Sequence, residues 1–336
     1  MKPATVRLRA FLPGCNVLTG SCSNVQEGGE MVKLRNAYYC NLKLLLIWLV
    51  VFGHWIEPEI DGDGRLYALY RLIYRFHMPL FAFVSGVFVK DAAGCVRQLR
   101  RTAPVYLGCQ GIAVLLGKTQ WSTPWWVLWY LLSLCFWLLA AAVLLGLRRG
   151  RWVVLALAVV LGCLAGRVQW IGREWSLSRT IVFFPYFWLG VLLPPEVPWQ
   201  RFRAVSLGAL LLIPSRLPVT VLYHAGACDP WVRLGCYGAG AALGLLVLSW
   251  CPRRRFPWTR AGADTMPAYL LHGPLVRWTG AVSHPALAAV FFLYIVSKAT
   301  RWEHPYGIMG KEECPWPDLK TYTRPRESRS TGSSWR

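Results

Sequence analysis

The sequence contains few charged residues, and acidic residues are especially scarce. Of its 336 residues, 16% are charged, whereas soluble domains carry roughly a quarter. Lys and Arg number 37 against 16 Asp and Glu, so the formal net charge is +21. Because 55% of the residues are hydrophobic and the mean hydropathy is +0.36, the composition predicts a polytopic membrane protein rather than soluble domains.

The sequence also lacks a basic stripe beside a soluble fold, which a nucleic-acid partner would need. In membrane proteins, Lys and Arg collect in cytoplasmic loops and face anionic lipid. We therefore expect the lipid bilayer, and no nucleic acid, as a partner. The oligomeric state is left open.

The eleven cysteines show no CxxC motif and no regular spacing, so neither a metal site nor a disulfide framework is predicted. The first 30 residues contain no apolar run followed by a small-residue cleavage site, so we expect no signal peptide. Residues 1–35 are predicted to be a disordered cytoplasmic arm, and residues 302–336 a disordered cytoplasmic tail.

Between these polar ends, apolar segments recur throughout the chain. They predict an all-α bundle of about ten transmembrane helices over residues 36–301, with both termini in the cytoplasm. The segments are 42–57, 76–90, 104–117, 125–146, 152–166, 179–194, 204–214, 232–250, 265–278 and 283–300.

The basic residues of the connecting loops support this count, because Arg doublets and triplets fall in alternate loops. These loops hold Arg97, Arg100 and Arg101, then Arg148, Arg149 and Arg151, Arg201 and Arg203, Arg253, Arg254, Arg255 and Arg260, and finally Lys298 and Arg301. The first outer loop is the exception: it is predicted to hold Arg65, Arg71 and Arg75 beside Glu59, Asp61 and Asp63.

The first apolar segment ends in the stretch VVFGHWIE, residues 50–57, which contains His54. Lys43 lies eleven residues earlier, a rise of about 16 Å and three turns plus about 20° on an α-helix. The two side chains therefore share one helix face at opposite depths. Ionisable groups within a span usually face a bundle interior or a wet cavity. Alternatively, Lys43 snorkels to the inner interface and His54 lies at the outer one.

Glu57 follows His54 by three residues, so the two side chains can lie on the same face. A carboxylate there can hold the imidazole in one tautomer and stabilise its protonated form, which supports a histidine base. Alternatively, Glu57 is an interfacial carboxylate just before Pro58, which ends the helix.

His77 lies near the start of the second apolar segment, which includes FHMPLFAFVSGVF at residues 76–88. Pro79 suits the first turn of a helix, so this pattern predicts a helix start with His77 at its outer mouth, near His54. His77 is then either a substrate-binding residue or a helix-start residue with no catalytic role. Ser85 and Gly86 are small and predict close helix packing.

Five blocks occur in a characteristic order. They are CNLKLLLIWLVVFGHWIEP (40–58), FHMPLFAFVSGVF (76–88), WWVLWYLLSL (125–134), SRTIVFFPYFWLGVLL (178–193) and DTMPAYLLHGPL (264–275). Together they resemble the integral-membrane acyltransferase 3 family, and within it the group of fucose 4-O-acetylase and related acetyltransferases. The resemblance covers about residues 36–300.

The resemblance implies a membrane O-acetyltransferase. Such an enzyme moves an acetyl or other acyl group from cytoplasmic acyl-CoA to a hydroxyl of an extracytoplasmic glycan, lipid-linked sugar or small molecule. His54 is then the base, assisted by Glu57, or itself accepts the acetyl group. Lys43 lies toward the anionic acetyl-CoA, and Arg97, Arg100 and Arg101 offer further cations for it, although positive-inside topology alone explains that cluster.

The same resemblance makes Arg179 and His77 candidates for binding the acceptor. His272, within the ninth segment, is expected in this family, and we expect it to pack the bundle rather than to act in catalysis. The implied localisation is the cytoplasmic (plasma) membrane, as a multi-pass protein that uses acetyl-CoA as acyl donor and no metal.

Two other functions stay open on the sequence alone. A transporter or flippase would also need ionisable groups within the membrane and a cavity, but the two halves of the chain show no internal repeat. An acyltransferase-like sensor that has lost activity is the other alternative, and the presence of His54 counts against it.

Overall fold

The computed structural model describes residues 23–147, 150–168, 171–211, 213 and 228–279, with side chains from residue 37 onward except 275 and 277–279. The chain divides into two compact units, Met1–Trp302 and Glu303–Arg336, and every described residue lies in the first unit. The predicted tenth segment, the predicted tail and residues 1–22 of the predicted arm lie outside the described residues.

Within the described ranges the chain is entirely helical, with nine α-helices and no strand. The helices are α1 (Ser23–Ile56), α2 (Gly64–Val87), α3 (Ala92–Leu115), α4 (Trp129–Leu144), α5 (Arg151–Leu164), α6 (Leu177–Leu192), α7 (Arg203–Leu210), α8 (Pro230–Trp250) and α9 (Met266–Thr279). Each of the first nine apolar segments thereby contains an α-helix, although in the seventh, 204–214, the described helix ends at Leu210. The first helix also extends back to Ser23, into the segment 1–35 that was predicted to be disordered.

The second helix begins well before the position that the sequence pattern predicts. The Asp63 Oδ1 accepts hydrogen bonds from the backbone N–H groups of Arg65 and Leu66, at 2.7 and 3.4 Å, and so caps the helix start. The prediction that the helix starts near Pro79 was wrong, because Pro79 lies inside it. Arg65, Arg71 and Arg75, predicted to lie in a loop, are on this helix.

Among the described residues, three stretches are long and apolar enough to cross a membrane: Ala37–Glu59, Trp126–Leu144 and Pro230–Trp250. A span of the hydrocarbon core needs about 20 apolar residues. Length and composition thus identify an integral membrane protein.

Helices α2 and α6 cross at two glycines. A Cβ atom on Gly86 would lie 1.9 Å from the Phe187 carbonyl oxygen, and one on Gly190 would lie 2.1 Å from the Phe83 carbonyl oxygen. The backbones therefore touch, as small residues allow within membranes. This confirms the close packing that Ser85 and Gly86 predicted.

The first helix runs antiparallel to the second. The rings of Tyr39 and Phe88 are 5.0 Å apart at one end of the pair, and Gly53 packs against Tyr74 at the other. A Cβ atom on Gly53 would lie 2.9 Å from the Tyr74 Cε2, so glycine is the residue that lets this ring approach.

The first helix runs parallel to the ninth. The Lys43 Nζ donates a hydrogen bond to the Ala263 carbonyl at 2.9 Å, just before α9, and further along both helices the rings of His54 and His272 stack. Both directions agree with the alternation of spans that the loop charges predict.

The two ends of the candidate span Ala37–Glu59 meet loops of different charge. The Asn41 side chain donates to the Pro252 and Arg254 carbonyls, both at 3.0 Å, which fixes the loop between α8 and α9 at the Lys43 end. That loop carries Arg253, Arg254, Arg255 and Arg260. The turn at the other end, between α1 and α2, carries Glu57, Glu59, Asp61 and Asp63.

Candidate active site

His54 lies in the last turn of α1, and a 3-10 turn, Glu57–Glu59, follows directly. Pro58 lacks an N–H group, so the α-helix does not continue through it. The His54 Nδ1 lies 2.9 Å from the Glu57 Oε2, with side-chain exposures of 15% and 40%. The predicted pairing of His54 with Glu57 is thus present, and the carboxylate accepts the Nδ1 proton.

Two tyrosines of α2 extend this pair. The Tyr74 hydroxyl lies 3.1 Å from the His54 Nδ1. Tyr70 shares hydrogen bonds with both Tyr74 and Glu57, and the two tyrosine rings are 3.9 Å apart. Together these contacts leave the His54 Nε2 as the ring nitrogen without a hydrogen-bond partner among the described residues.

Two further rings from distant parts of the chain enclose His54. His272 of α9 stacks on it, with ring centroids 5.5 Å apart and an interplanar angle of 24°. Trp126 meets it edge-on, with centroids 4.9 Å apart. The base candidate therefore lies between aromatic faces of α9 and of the turn before α4, where water is largely excluded.

Trp126 reaches this position through a strained backbone. Its φ is +33°, a region that bulky residues rarely adopt, so the surrounding structure must hold it there. Gln110, fully buried on α3, supplies part of this support. Its side-chain amide donates to the Gln120 and Thr123 carbonyls at 2.9 and 3.0 Å and accepts from the Trp125 N–H at 2.9 Å.

His77 lies deeper than the sequence predicts. It is 1% exposed within α2, so the predicted position at a helix mouth was wrong, because the helix begins at Gly64. Its Nδ1 donates to the Ile73 carbonyl at 2.8 Å. The Tyr74 ring lies close to both histidines, with centroids 4.8 Å from His77 and 6.0 Å from His54.

Lys43 occupies the same helix as His54 but is remote from it. It is 7% exposed, and its amine is bonded to the Ala263 carbonyl. Of the proposed donor-binding residues, Arg97, Arg100 and Arg101 are exposed near the start of α3, and Arg97 lies 4.0 Å from Asp91. Lys43 thus lies toward the opposite end of the span Ala37–Glu59 from His54, and the three arginines lie on the helix that follows the contact of Phe88 with Tyr39.

Arg179 lies on α6, where its guanidinium packs over the Trp129 ring at 4.9 Å. It is also close enough to Tyr269 to interact with it electrostatically. The Tyr269 ring is in turn 5.6 Å from that of His272, which stacks on His54. Arg179 is therefore linked to His54 through these intervening rings.

Sequence reasoning missed Tyr70, Tyr74 and Trp126, and it assigned His272 to packing. Tyr70 and Tyr74 follow one another at i, i+4 on α2, a spacing that predicts neighbouring side chains. Nothing in the local pattern places Trp126 or His272 beside His54, because those contacts join distant segments of the chain.

One of three comparisons with known proteins gave a match. A model of the acyltransferase 3 family, described as an acyltransferase domain, matches residues 36–110. The matched segment contains Lys43, His54, Glu57 and His77, and ends within α3. The match supports the acyltransferase 3 family and, with the apolar helices, a membrane acyltransferase in general. Neither the curated proteins nor the solved structures searched gave a match.

Proposed function

We propose that this membrane acyltransferase is an O-acetyltransferase that moves an acetyl group from acetyl-CoA to a hydroxyl of a glycan, lipid-linked sugar or small molecule on the other side of the membrane. The observation that supports it most directly is the Nδ1–Glu57 contact of His54, which leaves Nε2 available as a base. Within this proposal the chain is a multi-pass protein of the plasma membrane with ten spans.

The chemistry follows from this geometry. The His54 Nε2 takes the proton of the acceptor hydroxyl as the oxygen attacks the thioester carbonyl, and Glu57 stabilises the imidazolium that forms. The C–O bond forms, the C–S bond breaks, and the departing thiolate takes the proton back from Nε2. An alternative order has His54 accept the acetyl group first; a single turnover with labelled acetyl-CoA and no acceptor would then leave label on His54.

The donor enters, on this proposal, from the end of the bundle that holds Lys43. The loops at that end are basic, as cytoplasmic loops are, and the phosphates of CoA are anionic. Lys43, Arg97, Arg100 and Arg101 are the proposed binding residues. About 16 Å of α1 separates Lys43 from His54, so the pantetheine arm must run along this helix to bring the thioester to the base.

The acceptor approaches from the opposite, acidic end. Arg179 is the proposed acceptor-binding residue of α6. His77, which is buried behind Tyr74, acts on the acceptor through that tyrosine.

The test uses purified full-length protein in lipid nanodiscs, labelled acetyl-CoA, and membrane glycolipid extract as acceptor. We expect His54→Gln to lower acetyl transfer by about 10²- to 10⁴-fold, the usual contribution of a positioned base. His304→Gln, in the segment after the resemblance, is the matched control and should transfer at the wild-type rate. Full transfer by His54→Gln would overturn the mechanism, and failure of the wild-type protein to bind acetyl-CoA would favour a transporter.

A further inference from the structure

His272 has a buried nitrogen without a hydrogen-bond partner among the residues that the structure describes. The residue is 0% exposed, and its Nε2 makes no hydrogen bond to any residue that the structure describes. Burying an unsatisfied polar atom is unfavourable, because the atom loses its hydrogen bond to water and gains none in return. An atom of this kind in a native protein calls for an explanation, and a bound ligand is one.

The other ring nitrogen determines what kind of partner Nε2 accepts. The His272 Nδ1 donates its proton to the Tyr269 carbonyl, three residues earlier on α9. A neutral imidazole carries one proton, so Nε2 then holds a lone pair and acts as a hydrogen-bond acceptor. The missing partner must therefore be a donor, such as a hydroxyl.

The position of His272 indicates which molecule supplies that donor. Its ring stacks on His54 at 5.5 Å, and both rings lie near Trp126, with centroids 4.9 Å from His54 and 6.4 Å from His272. Because the two ring centroids are 5.5 Å apart, one molecule can reach both Nε2 atoms. Two acceptor nitrogens side by side suit two neighbouring hydroxyls of one molecule.

We propose that His272 is an acceptor-binding residue whose Nε2 takes a hydrogen bond from a second hydroxyl, next to the one that His54 deprotonates. The acyl acceptor is then a vicinal diol, such as a pyranose, rather than a simple alcohol. This inference rests on the proposed function, because it takes His54 as the base. It also replaces the expectation that His272 only packs the bundle.

The experiment compares acceptors that differ in one hydroxyl. Full-length protein in nanodiscs is supplied with labelled acetyl-CoA and a panel of methyl pyranosides and their monodeoxy analogues. For the wild-type protein we expect kcat/KM to fall at least about tenfold when the neighbouring hydroxyl is removed, the value of one hydrogen bond. We call kcat/KM for the pyranoside divided by kcat/KM for its monodeoxy analogue the hydroxyl ratio. In His272→Phe, which keeps a stacking ring but has no acceptor atom, this ratio should drop to about one or two, mainly through a higher KM for the pyranoside.

Two further variants keep the test decisive. His272→Gln places an amide oxygen near the former Nε2, so it should restore part of the ratio even if His272→Phe folds poorly. Leu271→Ala, at an exposed position beside His272 on the same helix, should retain the wild-type ratio. The proposal is overturned if His272→Phe keeps the full ratio, if the wild-type protein does not distinguish the analogues, or if it acetylates no pyranoside.

The two hypotheses fail in different ways. His54→Gln should lower transfer to every acceptor, including the monodeoxy analogues, by about 10²- to 10⁴-fold, whereas His272→Phe should change the preference between them. If His272→Phe loses the preference but His54→Gln retains transfer, His54 is not the base and the second hydroxyl site stands. If His54→Gln loses transfer but His272→Phe keeps the preference, His54 stands as the base and the second hydroxyl site is rejected.

Discussion

At the scale of single residues, Glu57 contacts the proposed base, His54, directly. It accepts the Nδ1 proton of His54 at 2.9 Å and is 40% exposed, so solvent weakens but does not remove its effect. Tyr70 also bonds to it, which restricts the carboxylate to one orientation.

We therefore predict that Glu57→Gln lowers kcat for acetyl transfer by about tenfold to a hundredfold, because the imidazolium loses its compensating charge. Glu57→Asp, which keeps the charge, should lose less. Glu59→Gln is the matched control, since Glu59 lies exposed in the same 3-10 turn. Initial-rate measurements on the three variants decide the matter, and equal rates for Glu57→Gln and Glu59→Gln would mean that Glu57 has no part in catalysis.

The sequence alone could predict the part of the site that lies on one helix. Lys43, His54 and Glu57 are related by helical periodicity, and the structure places Glu57 against His54 as the spacing suggests. His272 and Trp126 could not be found in this way, since the contacts that bring them to His54 depend on how α9 and the turn before α4 pack. The buried state of His77 was missed for a simpler reason, namely the wrong start of α2.

Among the helices, the crossing of α2 and α6 leaves little room for a larger side chain. Gly86 of one helix and Gly190 of the other each face the partner's backbone. A backbone cannot give way as a flexible side chain can, so an added methyl group must separate the helices.

We predict that Gly86→Ala destabilises the folded protein by about 1–3 kcal/mol, the usual cost of overpacking, or prevents its accumulation. The matched control is Gly238→Ala on α8, where a Cβ atom meets nothing within 4 Å and the residue is exposed. That change should be neutral or should stabilise its helix by up to about 1 kcal/mol. Thermal unfolding of the detergent-purified variants measures both, and equal stability for the two would contradict the crossing.

The existence of the helices was predictable, whereas several of their starts were not. Apolar runs located all nine described helices, but the runs begin late in α2 and α3. In both, an Asp caps a more polar first part of the helix: the side chains of Asp63 and Asp91 accept hydrogen bonds from backbone N–H groups that follow them. A search for hydrophobic stretches passes over such polar first turns.

For the molecule as a whole, the charge difference between the two ends predicts an orientation. The loop that holds Arg253, Arg254 and Arg255 meets α1 near Asn41, and the acidic turn lies beyond His54. Basic loops remain in the cytoplasm.

We predict that an epitope tag inserted after Gly62 is reached by antibody in intact cells, and that one inserted after Arg255 is reached after permeabilisation. Immunofluorescence with and without detergent reads out both insertions in parallel. Labelling of both tags under the same condition would contradict the orientation and, with it, the assignment of donor and acceptor ends.

The pairing of α1 with α9 also determines when the protein becomes active during its synthesis. The Lys43 amine bonds to a carbonyl 220 positions later in the chain, and the His54 ring stacks on that of His272. The ribosome must therefore deliver nearly all the described helices before either contact forms. A nascent chain released before Met266 holds the proposed base but lacks His272 of α9, so an incomplete product in the membrane has no assembled site for the proposed acetyl transfer.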